Sequence, residues 1–426
     1  MRVLSSTAIA AGFAALAEAA ALNARQEMVS SSIADKCLAE MDGTLPDYTP
    51  PGFNFSGNVR RYYMAAEIDT WDYAPTGRDN WLGVPINESF RAYNQGYVAS
   101  KKNLGTIYDK ALFKGYTDAS FTEYSEQPPW AGFQGPLLRA EVNDMIEIVL
   151  INKMPDFYVS LHSMGLFYLK SSEGSLYPNG GPIAQGDVIA PGGCAVYKWL
   201  VGPASVPDPG LDSKLFSYHS YISMYQDQDA GLSGPVIVYN QGKMEEVMGS
   251  NREFVVLYSD NQEWNSFLAL QNVAKYLPGF KGENLTKEYP MPGPANESYW
   301  LPQMINTPKT NIDSSVAPNF FPMNGYVLAN GPPFQMCLGD TAIFYLWNSG
   351  FDQHAVHWHG HNVLYNGRLT AVVPIAGGQM ATTVMSVANP GIWQMICHFT
   401  DHQAGGMEAY YEVQTNCTLP PLGKKK

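Results

Sequence analysis

Apolar and polar positions alternate with a period of two along much of this chain, which is the signature of half-buried β-strands. From Arg139 to Ile151 the order Arg-Ala-Glu-Val-Asn-Asp-Met-Ile-Glu-Ile-Val-Leu-Ile reads as strand, turn, strand. Gly234-Pro-Val-Ile-Val-Tyr239 reads as the closing strand of a first unit, and Glu253-Phe-Val-Val-Leu-Tyr258 as the opening strand of a second. A charged stretch from Asn240 to Arg252 links them. Between Pro278 and Pro322 the chain is rich in Pro, Asn and Ser with little periodicity, and a long surface loop is expected there. Further strands are expected from Gln335 to Val413. The pattern predicts an all-β protein of two β-sandwich domains, at 58–240 and 253–416, after a polar lead ending near Gly57.

Composition narrows the class. The chain has 426 residues, enough for two or three sizeable cores, and only 15% are charged. A net charge of −13 argues against nucleic acid and against an anionic membrane surface as partners, and suits neutral or cationic substrates. Arg2 precedes an Ala-rich apolar stretch that is broken by Glu18 and is short for a membrane span. Residues 1–21 read as a secretory signal, so the protein is expected to be secreted. Glycosylation sequons at Asn54, Asn87, Asn284, Asn296 and Asn416 fit export. Of 5 cysteines, Cys397 is set apart by its neighbours, as described next. Cys37, Cys194, Cys337 and Cys417 remain, an even count that permits disulfides in any of three connectivities; a Cys37–Cys417 bridge tying down the termini is one of them, and Cys194 and Cys337 are equally readable as buried thiols.

The chemistry lies in the 8 histidines, which fall into four short clusters. They are His162 in LHSMG, His219 in YHSYI, His354, His357, His359 and His361 in HAVHWHGH, and His398 and His402 in CHFTDHQAGGM. Cys397 is followed by His402 and then Met407, so one segment carries a thiolate, an imidazole and a thioether. With a second imidazole, for which His354 is the natural candidate, these are the ligands of a blue, type 1 copper site whose work is electron transfer.

On these residues the chain resembles the multicopper oxidases, and most closely their ceruloplasmin-like branch. The resemblance also covers Gly135-Pro136 through Asp144, Glu173-Gly174 before Tyr177-Pro178, and Asp227 before Gly231-Leu232 and Gly234-Pro235. It implies two cupredoxin-type Greek-key sandwiches and a second, trinuclear copper assembly that reduces oxygen. The sequence departs from the family's eight histidines at three positions, where Met164, Tyr221 and Ile396 stand. His162, His219, His357, His359 and His398 are kept. By the resemblance, His162 and His357 belong to the type 2 copper, and His219 and His398 to one type 3 copper with Met164 in place of its third imidazole. His359 alone remains for the other. Ile396 offers no lone pair, and Tyr221 can ligate, relay an electron or simply fill the vacancy. Only one of the family's two backbone connections from the blue site survives, Cys397 to His398, so a working blue copper beside a remodelled, copper-poor second site is expected. His361 is expected to be structural, and Trp358 and Trp393 to lie in the core.

The reading that follows is a secreted copper oxidoreductase taking single electrons from a small phenolic or other aromatic substrate, with Cys397, His398 and Asp401 in the electron path. The ceruloplasmin-like branch includes iron oxidases, and Asp401 matches an acidic position near their blue site. The stretch before Asn324-Gly325-Tyr326 lacks the Glu and His that accompany it there, and Asp401 can equally just shape its loop. A pseudo-oxidase reused for binding or an auxiliary role is the other reading. In two-domain relatives the second copper site forms between subunits, so a homotrimer is expected; alternatively a related partner chain supplies the missing ligands.

Overall fold

All eight residues of Met145–Asn152 are buried, because this strand lies inside its sheet with a core on one side and covering segments on the other. The computed structural model describes residues 35–286, 297–420 and 422. The expected signal at 1–21 and the sequon at Asn296 lie outside them.

The first sandwich contains β1 (Val59–Asp72), β2 (Ile107–Tyr116), β3 (Leu138–Glu141), β4 (Met145–Asn152), β5 (His162–Met164), β6 (Cys194–Leu200), β7 (Ser213–His219) and β8 (Ser233–Tyr239). One sheet has the order β2-β1-β4-β6 and the other β3-β8-β7-β5. The β3–turn–β4 unit is the one legible in the alternation at 139–151, and Asn143, at its turn, takes a positive φ of 76°.

The second sandwich contains β9 (Arg252–Tyr258), β10 (Phe334–Cys337), β11 (Thr341–Asn348), β12 (His354–Trp358), β13 (Val363–Tyr365), β14 (Arg368–Thr370), β15 (Val372–Ile375), β16 (Met380–Ser386), β17 (Gly391–Cys397) and β18 (Glu408–Gln414). Its sheets run β9-β11-β16-β13-β14 and β10-β18-β17-β12-β15. Parallel pairs β1–β4, β3–β8, β9–β11 and β10–β18 close the sheets beside antiparallel neighbours, so the chain crosses repeatedly between sheets in each domain.

Each sandwich has its own core, around Trp199 and Tyr218 in the first and Phe344 and Trp358 in the second. A third cluster joins Leu215 and Ile237 of the first to Val255, Tyr345 and Trp347 of the second. The seam between domains is therefore itself a hydrophobic core, in which each fully buried large side chain contributes about 1.5–3 kcal/mol. Polar groups seal it. Lys110 and Glu263, both fully buried, form an ion pair; Lys110 Nζ also donates to the Asp229 carbonyl at 2.6 Å.

Two expectations are corrected. The disulfides are Cys37–Cys194 and Cys337–Cys417, not Cys37–Cys417. The helical turn at 35–38 packs against β6, and the β10–β18 register sets Cys337 beside Gln414, three residues short of Cys417. The region 278–322 is not one surface loop. It holds a helix at Glu297–Asn306 and a short strand at Asn319–Phe320, and Asn306 is fully buried. There the Asn306 amide donates to the Tyr158 carbonyl and the Asp227 carboxylate, bonds from distant residues that override weak local propensity. The linker at 240–252 likewise winds into a helix, Met244–Ser250.

Candidate metal centre

The sandwich places the Cys397 segment by register. β12 and β17 are antiparallel neighbours with Val356 opposite Cys397, so His354 at the head of β12 lies beside the end of β17. The chain then turns through a short helix, α1 (Thr400–Ala404), carrying His402. The Cys397 amide donates to the Met407 carbonyl at 3.1 Å, and the Met407 amide to the His402 carbonyl at 3.0 Å. These two bonds fold the segment back so that Cys397, His402 and Met407 converge, all buried with His354.

The donor atoms face one another. Nδ1 of His354 and Nδ1 of His402 are 3.1 Å apart, and Cys397 Sγ is 3.8 Å and 3.6 Å from them respectively. A metal about 2.1 Å from three corners of a trigonal plane needs corner spacings of roughly 3.6 Å. Two imidazole nitrogens and a sulfur meet in a buried place, and the donor set fits copper. Burial and the neighbouring His402 push His354 down to about 3, so its imidazole is neutral and free to ligate, while burial raises the Cys397 thiol.

The outer edge of His402 is acidic. Its Nε2 is 3.5 Å from an Asp352 oxygen, and Asp260, Asp352 and His402 offer three ligand atoms within 4.8 Å of one another. Asp260 is only 6% exposed; one of its oxygens accepts the Asp352 amide at 3.2 Å and the other has no partner. Burial pushes Asp260 up to about 6, against the attraction of His402, and Asp352 and Asp401 add to the rise. Asp401, exposed in the first turn of α1, thus belongs to this acidic edge. Asp260 and Asp352 escaped the sequence reading. The signal for Asp352 was its place two residues before His354; Asp260 gave none, because it comes from the end of β9.

The remaining histidines form two further groups. In the first domain, His162 and His219 are register partners on β5 and β7, with ring centroids 5.5 Å apart and Tyr221 at 5.3 Å and 5.6 Å from them. Their Nδ1 atoms are held at the Glu173 and Ser220 carbonyls, 2.7 Å and 2.9 Å away, and both residues line a cavity of about 490 Å³ with Met164 and Tyr221. Burial lowers His219 to about 4. In the second domain, His357 has ring neighbours His359 at 5.2 Å and His398 at 4.9 Å, on a solvent-facing surface. Buried Ile396 lies opposite His357 in the sheet. Among the described residues no set of ligating side chains joins these two groups within the chain. His361 uses both nitrogens structurally, toward Tyr411 and the Asn389 amide. Trp358 is fully buried, and Trp393 packs partly buried on the same core.

Residues 115–243 and 302–416 match two family profiles, each described as multicopper oxidase, and the chain belongs to that family of copper-binding oxidoreductases. It is 32% identical over 371 residues to a protein named ferroxidase HEPHL1 from Mus musculus, covering 84% of this chain and 29% of that one. It is 28% identical over 368 residues to ceruloplasmin from Rattus norvegicus, covering 84% and 32%. The chain thus spans about a third of the length of these relatives. A solved structure of a copper nitrite reductase from Nitrosomonas europaea superposes with a TM-score of 0.52 at 16% identity, covering 86% of this chain and 98% of that one, a likeness of fold.

Proposed function

We infer that this copper oxidoreductase takes single electrons from a small aromatic donor docked at the outer edge of His402. The observation that carries the reading is Asp352, whose side chain is 47% exposed and lies 3.5 Å from the outer nitrogen of a buried ligand histidine. Phe351, next to it in the chain, and Phe399, 5.6 Å from the His402 ring, are 62% and 42% exposed and offer apolar contact to a ring. Copper held by His354, Cys397, His402 and Met407 supplies a one-electron acceptor. Asp352 would take the donor's hydroxyl proton, and His402, as the ligand facing the donor, would carry its electron inward to the copper, leaving a neutral aromatic radical. His398, bonded to Cys397 through the backbone, leads from this centre to the histidine face of the second domain.

A second reading, iron(II) as donor, is favoured by the Asp260–Asp352–His402 group with Asp401 nearby, and by the ferroxidase name of a relative. Against it, the stretch before Asn324 lacks the Glu and His that accompany the acidic position in the iron-oxidising branch, and an apolar ring, Phe321, stacks on His402 at 4.8 Å. Anaerobic stopped-flow reduction of the copper-loaded protein separates them. Bleaching of the blue band by a phenol but not by iron(II) supports the first, and the reverse supports the second. Bleaching by neither, with copper bound, leaves the pseudo-oxidase reading.

The second copper site is proposed to form between copies of the chain, the His162–His219 face of one against the His357–His359–His398 face of the next. Exposed Leu369 and Val372 beside the latter face support a protein contact. A homotrimer is expected, with a related partner chain as the alternative; a monomer on sedimentation sinks the first. Secretion is proposed from the N-terminal signal, and is supported by two disulfides and by exposed Asn54, Asn87, Asn284 and Asn416.

A further inference from the structure

We propose that the first domain sets the geometry of the copper centre in the second, with Arg91 as the positioning residue. Arg91 sits on a five-residue helix, Phe90–Asn94, far along the chain from the copper segment, yet it is only 4% exposed. Its guanidinium binds three anchors at once. Nε and Nη2 donate to the two oxygens of buried Asp79 at 3.1 Å and 2.7 Å. Nη2 also donates to Glu408 at 2.8 Å, and Nη1 to the Gln403 carbonyl at 3.2 Å. Gln403 follows His402 and Glu408 follows Met407, so one planar cation holds both ends of the span between a ring ligand and the axial thioether.

The clamp is reinforced from the same stretch of the first domain. The Tyr97 hydroxyl donates to the Gly405 carbonyl at 3.0 Å, in the middle of that span. Ser89 Oγ and the Leu82 amide fix the Asp79 carboxylate at 2.7 Å and 3.1 Å, so the arginine's own anchor is rigid. The far face of the guanidinium lies 4.3 Å from the Trp81 ring. The span itself is short and includes Gly406 at a φ of +86°, where an added Cβ would meet the Leu328 backbone at 2.5 Å. Its shape is therefore set by what it is tied to as well as by its own turn. Arg91 touches no ligand atom; it acts on His402 and Met407 through the backbone and side chain next to them.

The test uses the full-length, copper-loaded protein and reads the blue absorption band, the copper hyperfine splitting in electron paramagnetic resonance, the reduction potential and copper retention against a chelator. Arg91→Met keeps the apolar stem and removes every anchor; a shifted band, splitting and potential are expected, with copper lost about 10–100-fold more readily. Arg91→Lys keeps the charge but not the fork, so thermal stability recovers while the spectral shift persists. Tyr97→Phe, which removes one hydrogen bond, gives a smaller shift in the same sense and serves if Arg91→Met does not fold. Parental spectra and potential in folded Arg91→Met, full spectral recovery in Arg91→Lys, or an unchanged Tyr97→Phe where Arg91→Met is unfolded would each overturn the proposal.

Discussion

Replacing Asp352 with Asn tests the acidic edge of His402 with almost no change in shape. The carboxylate is about half exposed and 3.5 Å from the ligand ring, so a donor docked there would gain from it one charge-assisted hydrogen bond that water partly screens. Such bonds are worth about 1.5–3 kcal/mol, and exposure argues for the lower end, roughly tenfold in kcat/KM for a phenol. For iron(II) the lost term is Coulombic: a dication about 4 Å from one carboxylate gains about 2 kcal/mol even at the dielectric of water, so at least about thirtyfold is expected. The assay is anaerobic stopped-flow bleaching of the blue band at several donor concentrations. A bulky outer-sphere reductant, which cannot enter the edge, reports any change in the copper itself. Rates for both donors within twofold of the parent, with the outer-sphere rate unchanged, would refute the assignment of Asp352.

Two further outcomes follow from the seam that holds the site's two domains together. Lys110→Met leaves Glu263 as an uncompensated charge in a fully buried place, a loss of about 3–5 kcal/mol in urea unfolding, and adding Glu263→Leu should recover much of it; a single-variant loss below about 1 kcal/mol contradicts the buried pair. Burial pushes Asp229 up to about 7 from the ordinary 3.8 of an aspartate, so between those values the folded chain holds a proton that the unfolded chain has lost. Its contribution is therefore fully present below about pH 4 and declines as pH rises through 7. Asp229→Asn should flatten that decline, and parallel pH profiles for variant and parent would count against the shift.

The copper segment was legible because its chemistry is local. Cys397, His402 and Met407 are brought together by one turn, and their spacing alone announces it. His354 required a partner strand, but its own cluster of histidines marked it. Asp260 and Arg91 were not legible, since an isolated Asp or Arg carries no signal until tertiary structure sets it against His402 or Glu408, and Asp352 was marked only by its place two residues before His354. The five histidines of the second centre could be named, and the resemblance already implied their division between a first-domain face with His162 and His219 and a second-domain face with His357, His359 and His398. The strands at 139–151 and 234–239 followed from alternation, whereas the helix ending at Asn306 did not. Pro302 and its polar neighbours give it weak local preference, and Asn306 is secured by Tyr158 and Asp227. Cysteine pairing likewise depended on the β10–β18 register, which no spacing encodes.

The most direct test of a copper centre built on Cys397 is copper content and colour in the same sample, for the parent and for Cys397→Ser. The account predicts at least about one tightly bound copper per chain with an intense blue band, rising toward about three where copies assemble and the second centre fills, and loss of the colour in the variant. A parent that binds no copper, or a pale copper indifferent to Cys397→Ser, would contradict it.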